Sequence, residues 1–136
     1  MRVVLDTNVF LSAILSPGGS PDRIYLAWLA KQFVLVSSTD QIDELRRVSR
    51  YAKLRPMLPP HRVGRIVNDL QRAIVLDKLR ITEEADDPED SFLLAMAVAG
   101  DADYLVTGDR RAGLLARGSI GRTQIVTPRE FCEVVL

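Results

Sequence analysis

Short apolar runs alternate along this chain with longer segments in which apolar residues recur every three or four positions. The short runs are typical of buried strands and the longer segments of helices packed on a sheet. Five strands are predicted, at residues 2–5, 33–37, 73–76, 104–107 and 123–126. Because strands and helices alternate, the sequence predicts an α/β fold, a three-layer α/β/α sandwich with a central, mainly parallel sheet of four to five strands.

Residues that start and stop helices set the limits of the helical segments. Ser20 is a predicted N-cap, and Ser38 with Gln41 has the spacing of a capping box. The prolines within residues 55–62 divide the next region into a helical hairpin. Further helix starts are predicted at Asp87 before Pro88, at Asp109, and at Thr127 before Pro128.

Four carboxylates lie near the predicted carboxyl ends of the strands. Asp6 follows the first strand directly, and Asp109 follows the fourth through Gly108. Asp90 opens the helix before the fourth strand, and Glu44 lies in the helix after the second. Ligands bind outside the carboxyl ends of the strands in open α/β sheets. We therefore expect these four acids to converge at one edge of the sheet.

Each acid also has a purely structural interpretation. Asp6 and Asp109 can cap helices, Asp90 can be a first-turn acid favoured by the helix dipole, and Glu44 can pair with an arginine at the surface. Asp6 is the hardest to explain in this way, because it follows an apolar strand and a buried carboxylate without partners is costly. The sequence leaves both interpretations open for the other three.

The donor chemistry of this cluster favours a hard divalent cation. Clustered anions repel one another unless a cation, a shared proton or basic partners offset their charge, and a divalent metal ion is the simplest of these. Mg²⁺ or Mn²⁺ suits an all-oxygen site, since no cysteine and no second histidine stands nearby to favour zinc. Such an ion can polarise a phosphodiester and lower the pKa of water. Asn8 and Thr107 can orient Asp6, although helix-start and turn roles are typical of both residue types.

Charge and composition narrow the function classes further. Hydrophobic residues make up 47% of the 136, the net charge is +0, and no apolar run approaches the roughly 20 residues of a membrane helix. The sequence begins without the apolar segment of a secretory signal and contains one cysteine, so we expect a cytoplasmic protein without membrane contact. Residues 44–72 are rich in arginine, whereas residues 83–103 are rich in acids. A basic block attracts phosphates, unless both blocks are only solvated helix faces.

Four segments of the chain together resemble the PIN domains of bacterial and archaeal toxin–antitoxin pairs, the VapC-like ribonucleases. They are VVLDTNVFLSAIL, SSTDQIDELRRV, DDPEDSFLLAMAVAGDADYLVTGDRR and TQIVTPREF, and the resemblance extends over residues 1–136 as one domain. It implies that the matching acids bind magnesium or manganese and that the protein cuts single-stranded regions of RNA. It also implies a cognate antitoxin and a homodimer. The matching positions are Asp6, Glu44, Asp90 and Asp109, with Asn8 and Thr107 as supporting polar positions.

The sequence therefore favours a metal-dependent endoribonuclease. The basic block would bind the backbone of the RNA substrate, in particular through Arg46, Arg47, Arg50 and Lys53. The alternative is a non-catalytic PIN-like module that binds RNA or serves in assembly. Arginines follow Asp109 where many PIN domains carry a further acid, so the sequence leaves open whether one or two metal ions bind. His61 is expected at the surface and Cys132 in the core.

Overall fold

Strands and helices alternate through most of the chain in this computed structural model, which describes residues 1–81, 88–108 and 113–136 apart from the side chain of Glu89. The strands are β1 (Arg2–Leu5), β2 (Val34–Ser38), β3 (Ile74–Leu76), β4 (Tyr104–Val106), β5 (Ser119–Ile120) and β6 (Thr123–Val126). The α-helices are α1 (Thr7–Leu15), α2 (Ser20–Leu29), α3 (Thr39–Val48), α4 (Pro60–Leu70), α5 (Pro88–Ala99), α6 (Leu114–Arg117) and α7 (Pro128–Val134). In the described segments, no helix is long and apolar enough to cross a membrane.

The six strands form one sheet in the order β3-β2-β1-β4-β6-β5, in which only the β5–β6 pair is antiparallel. The chain runs outward from β1 through β2 to β3 and then returns to place β4 on the other side of β1. The connections after β1 and β4 therefore leave in opposite directions, which makes this pair the switch point of the sheet. The carboxyl ends of β1 and β4 are level, because Leu5 pairs with Val106.

Helices cover both faces of the sheet, as its strands require. Alternate residues of a strand point to opposite faces, and in β1 Val3 and Leu5 join one core cluster while Val4 joins the other. The larger cluster packs α1, α2, α3, α4 and α7 on one face, and the smaller one packs α5 and α6 on the opposite face. Cys132 is buried in the larger cluster, and His61 is exposed. The predicted three-layer architecture is confirmed.

The sheet has one more strand than the four to five that the sequence predicts. All five predicted strands are present, with limits within one residue of the predicted ones. The additional strand, β5, is two residues long and hydrogen-bonds back to β6 across the turn at Gly121, whose φ is +54°. Two residues of mixed polarity are too short to form a recognisable apolar run, so pattern analysis misses such an edge strand.

The predicted helix caps are correct at two positions and wrong at one. Ser38 caps α3 and Thr127 caps α7, each with its side chain accepting a backbone N–H of the first turn. The N-cap of α2 is Gly19 rather than Ser20, and its carbonyl accepts the Arg23 N–H at 3.0 Å. Ser20 is already helical, which leaves Pro21 within the first turn. The predicted N-cap Asp87 and the predicted helix start at Asp109 lie outside the described residues.

The acids that the structure describes within residues 83–103 do not form one surface, since Asp90 is buried and Asp101 and Asp103 lie elsewhere. Asp101 and Asp103 lie at the amino-terminal end of β4, opposite the edge where β1 ends, and both pair with Arg122. The backbone N–H of Arg2 donates to Asp103 at 2.8 Å. This N–H, with Arg122, holds the pKa of the Asp103 carboxyl below its usual value. These two acids therefore stabilise the amino edge of the sheet.

Candidate functional site

Asp6 is a buried carboxylate at the switch point of the sheet. The residue is only 7% exposed, although it directly follows the last residue of β1, where solvent is near. The Asn8 backbone N–H donates to Asp6 Oδ1 at 3.1 Å, which makes Asp6 the N-cap of α1. The capping interpretation of Asp6 is therefore correct, but a cap alone does not explain burial, since aspartate caps are ordinarily exposed.

Thr107 holds the second oxygen of the same carboxylate. Its hydroxyl donates to Asp6 Oδ2 at 2.8 Å, and the residue is fully buried. The sheet register explains the contact. Leu5 pairs with Val106, and Asp6 and Thr107 are the residues that directly follow these two in the chain. Thr107 is therefore placed to orient the Asp6 carboxylate. Asn8 contributes its backbone N–H, while its side chain is exposed.

A buried polar network beneath Asp6 is a feature that the sequence did not predict. Gln41 Nε2 donates to the Leu5 carbonyl at 2.6 Å, and the Ser37 hydroxyl donates to Gln41 Oε1 at 2.7 Å. Gln41 and Ser37 are both fully buried. The capping box predicted for Ser38 and Gln41 is only half formed, because the Gln41 side chain turns inward to the end of β1. Gln41 therefore ties α3 to the residue that precedes Asp6.

The first turn of α5 carries Asp90, the second of the four predicted acids that is buried. Asp90 is 3% exposed, in a helix that packs against β1, β2 and β4. Gly100, just after the helix, permits a close approach to β2, because an added Cβ would lie 2.5 Å from Val36 Cγ1. Further along α5, Met96 Sδ accepts the Ser38 hydroxyl at 3.5 Å. Tight packing on the sheet therefore fixes the position of Asp90.

Glu44 lies on α3 beside the start of α5. It is half-buried and lines a cavity of about 420 Å³, which we call the acidic groove. The groove is lined by Asp40, Asp43, Glu44, Arg47, Leu79, Ile81, Pro88 and Phe92. Pro88 and Phe92 flank Asp90 in sequence, so the acidic side of α3 faces the turn of α5 that carries the buried acid. The groove combines negative charge with exposed apolar side chains.

The structure describes three of the four predicted acids. Asp6 lies at the end of β1, Glu44 lines the acidic groove, and Asp90 lies in the first turn of α5, whose residues Pro88 and Phe92 line the same groove. Within residues 1–81, 88–108 and 113–136, no three His, Cys, Asp or Glu side chains are grouped closely enough to hold a metal ion. The fourth predicted acid, Asp109, lies outside the described residues. The donors present are all carboxylate oxygens, which is the chemistry that Mg²⁺ and Mn²⁺ prefer.

The basic residues predicted to bind RNA divide between two surfaces. Arg46 and Arg50 line a cavity between α3 and α4, whereas Arg47 lines the acidic groove with Glu44. Lys53 is exposed in the segment after α3. The spacing of residues along α3 explains the division, because adjacent helical positions point about 100° apart. A block of charge in the sequence is therefore not one patch on the surface.

Comparison with known proteins gives matches over most of the chain. A family model described as "PIN domain" matches residues 2–111. The uncharacterized protein MJ1680 of Methanocaldococcus jannaschii is 25% identical over 142 residues, which cover 98% of this chain and 90% of that protein. The crystal structure of VapBC2 from Rickettsia felis bound to a DNA fragment from their promoter matches with a TM-score of 0.61 and 20% identity, covering 93% of this chain and 98% of that chain. At that identity the likeness to VapBC2 shows a shared fold.

Proposed function

This chain belongs to the PIN domain family, and on that premise we propose that it is a metal-dependent endoribonuclease that cleaves single-stranded regions of RNA. PIN nucleases generally use divalent metals. The observation that carries the proposal is the buried Asp6 carboxylate at the switch point between β1 and β4, the place where α/β sheets bind ligands. We also propose that residues 1–136 form one PIN domain.

Four carboxylates are proposed to hold the metal, namely Asp6, Glu44, Asp90 and Asp109. Their oxygen donors fit Mg²⁺ or Mn²⁺, and the site would be completed by Asp109. When bound, the ion would supply Lewis-acid stabilisation of the phosphodiester and a lowered pKa for water.

The residues around Asp6 prepare this carboxylate for its proposed role. Thr107 and the Asn8 N–H each bind one of its oxygens, and Gln41 binds the carbonyl just before it. These contacts fix the orientation of the carboxylate before substrate arrives, so little reorganisation is needed during the reaction. Arg46, Arg47, Arg50 and Lys53 are proposed to neutralise phosphates of the RNA backbone.

Cleavage of RNA is expected to require both a single strand and a divalent ion. Folded protein incubated with single-stranded RNA should produce defined fragments in Mg²⁺ or Mn²⁺, whereas EDTA should stop the reaction and duplex RNA should remain intact. Gel analysis of end-labelled RNA measures the outcome. If RNA is retained by the protein but stays uncut in both metals, the protein is instead a non-catalytic PIN-like module that binds RNA or serves in assembly.

The fold shared with VapBC2 supports a second part of the proposal, that the chain is the toxin of a toxin–antitoxin pair. Its proposed partners are RNA and a cognate antitoxin, its oligomer a homodimer and its location the cytoplasm. The acidic groove, which contains Asp40, Asp43 and Glu44, suits a basic segment of an antitoxin.

Co-expression with the product of the neighbouring gene tests the antitoxin. The two proteins are expected to co-purify, and RNA cleavage should be suppressed in the complex because the antitoxin segment covers the acidic groove. Light scattering on the isolated chain should give the mass of a dimer. Separation of the two proteins on the first column, with undiminished cleavage in the mixture, would contradict the antitoxin assignment.

A further inference from the structure

The cavity between α3 and α4 combines arginines with an apolar wall. Its volume is about 490 Å³, and its lining includes Arg46, Arg50, Arg55, Leu58, Val63 and Gly64. Binding sites for small ligands typically measure roughly 300–1,000 Å³, so the cavity has the size for one nucleotide or a comparable ligand. It lies on the opposite side of α3 from the acidic groove, and we call it the arginine cavity.

The charge in the arginine cavity is largely uncompensated. Among the described residues, Arg46 has a carboxylate partner, Asp43, at 3.7 Å, and that pair is exposed. Arg50 and Arg55 are exposed and form no ion pair within the described part of the chain. None of the residues that the structure describes at the cavity wall is acidic. Three guanidinium groups around one concave space repel one another, so an anion bound there is strongly favoured.

The apolar wall of the arginine cavity restricts the class of anion. Leu58 is 3% exposed, and Val63 and Val67 extend the same surface along α4. A bare phosphate leaves this wall uncovered, whereas a nucleotide covers it with its base. Arginine forks bind phosphate oxygens in pairs and also stack on planar rings. Phosphate and ring are both present in every nucleotide of a single strand.

We propose that the arginine cavity binds one nucleotide of the single-stranded RNA substrate, with its phosphate held by the arginines and its base against Leu58 and Val63. The inference deepens the proposed endoribonuclease function and rests on it. Glu44 and Arg46 lie on opposite sides of the same helix, whose diameter with side chains is about 10 Å. A strand that is bound in the cavity and continues around α3 would reach the acidic groove. The cavity would then set which position of the RNA lies at the groove.

Charge favours RNA over a protein segment in this cavity. The antitoxin segment proposed above is basic, and three arginines would repel it. An acidic peptide would satisfy the arginines, but it covers the wall with a ring only where an aromatic residue lies beside the acids, whereas every nucleotide of a single strand carries both charge and ring. A nucleotide therefore fits both the positive charge and the apolar wall of the cavity.

Gly64 provides a direct way to fill the cavity. It lies within α4, and a Cβ added there meets no atom within 4 Å. Gly64→Phe therefore adds a ring at the lining of the cavity without a clash at the backbone. Gly64→Ala is the matched control, because it makes the same backbone change and leaves the cavity open. Both variants remove a glycine from a helix interior, so both are expected to fold at least as stably as the native chain.

Binding of a labelled single-stranded oligoribonucleotide in EDTA isolates the cavity from the metal-dependent reaction. By fluorescence anisotropy, we expect Gly64→Phe and the double variant Arg50→Ala/Arg55→Ala to bind roughly tenfold more weakly than the native chain. The exposed control Arg23→Ala should bind as the native chain does, and Gly64→Ala should bind more tightly than Gly64→Phe. In the arginine variant, the slope of log affinity against log salt should become shallower by about 0.7 for each phosphate that the protein no longer neutralises.

Three further outcomes bear on this inference and on the proposed function. If the native chain cuts RNA with metal and folded Gly64→Phe binds and cuts it equally well, the cavity inference is wrong and the endoribonuclease proposal stands. If the native chain neither binds nor cuts RNA, both are wrong. A cavity that binds poly-glutamate in preference to RNA, with the binding abolished in Gly64→Phe, would overturn the nucleotide in favour of an acidic protein partner.

Discussion

The Asp6→Asn variant is expected to lose RNA cleavage by at least about 10³-fold while folding as the native chain does. The loss follows from the proposed role of Asp6 as a metal ligand, because asparagine has no negative charge and one oxygen instead of two. The normal fold follows from geometry. Asparagine caps helices as well as aspartate does, so its oxygen can still accept the Asn8 N–H. The Thr107 hydroxyl, which donates to Asp6 in the native chain, can rotate to accept from the new amide.

Cleavage rates and thermal unfolding of the same preparation test this prediction. Thr107→Val, which keeps the shape of the side chain and removes the hydroxyl that holds Asp6, is expected to lose about 10–100-fold in activity or metal affinity. Asn8→Ala tests whether the supporting role of Asn8 needs its side chain, since the hydrogen bond to Asp6 comes from the backbone of Asn8. Manganese calorimetry on the native chain and Asp6→Asn adds a readout that does not depend on catalysis. Full cleavage by Asp6→Asn would exclude Asp6 as a metal ligand.

Sequence patterns predict the features of this fold that repeat over several residues. The apolar run before Asp6 and the alternation of strands with helices were enough to predict the sheet, its two covered faces and the edge at which β1 ends. Parallel strands have a regular geometry, so the carboxylate after β1 had to lie at that edge. The Ser38 and Thr127 caps were predictable for the same reason, because cap chemistry is local in sequence.

Features that depend on distant contacts were not predictable in this way. The acids of residues 83–103 form a block in sequence, but the sheet places Asp103 at the opposite edge from Asp6. Arg46 and Arg47 are adjacent in sequence, but they line different cavities. Helical spacing predicts that such neighbours point apart, whereas the cavities themselves are formed by α4 and α5. Only the tertiary arrangement shows which charges share a surface.

Gln41 is a single residue whose role depends on distant contacts that its local sequence does not predict. Its substitution is expected to have the largest effect on the free energy of unfolding. Local chemistry assigned it to a capping box, whereas its side chain joins β1 to β2 from within the core. Gln41→Met conserves volume but leaves the Leu5 carbonyl and the Ser37 hydroxyl without this partner at sites that are 1% and 0% exposed. We expect a loss of about 3 kcal/mol in the free energy of unfolding, or about 10 °C in Tm.

Urea denaturation of Gln41→Met measures this loss, with Gln32→Met as the exposed glutamine control, for which a change within about 0.5 kcal/mol is expected. The double variant Ser37→Ala/Gln41→Met removes both side-chain partners of one hydrogen bond. Its stability loss should therefore be smaller than the sum of the two single losses. Equal stability of Gln41→Met and the native chain would show that the network contributes little. A stable Gln41→Met variant with reduced cleavage would instead assign Gln41 to positioning Asp6 through the Leu5 carbonyl, because that hydrogen bond is the one that links the network to the candidate site.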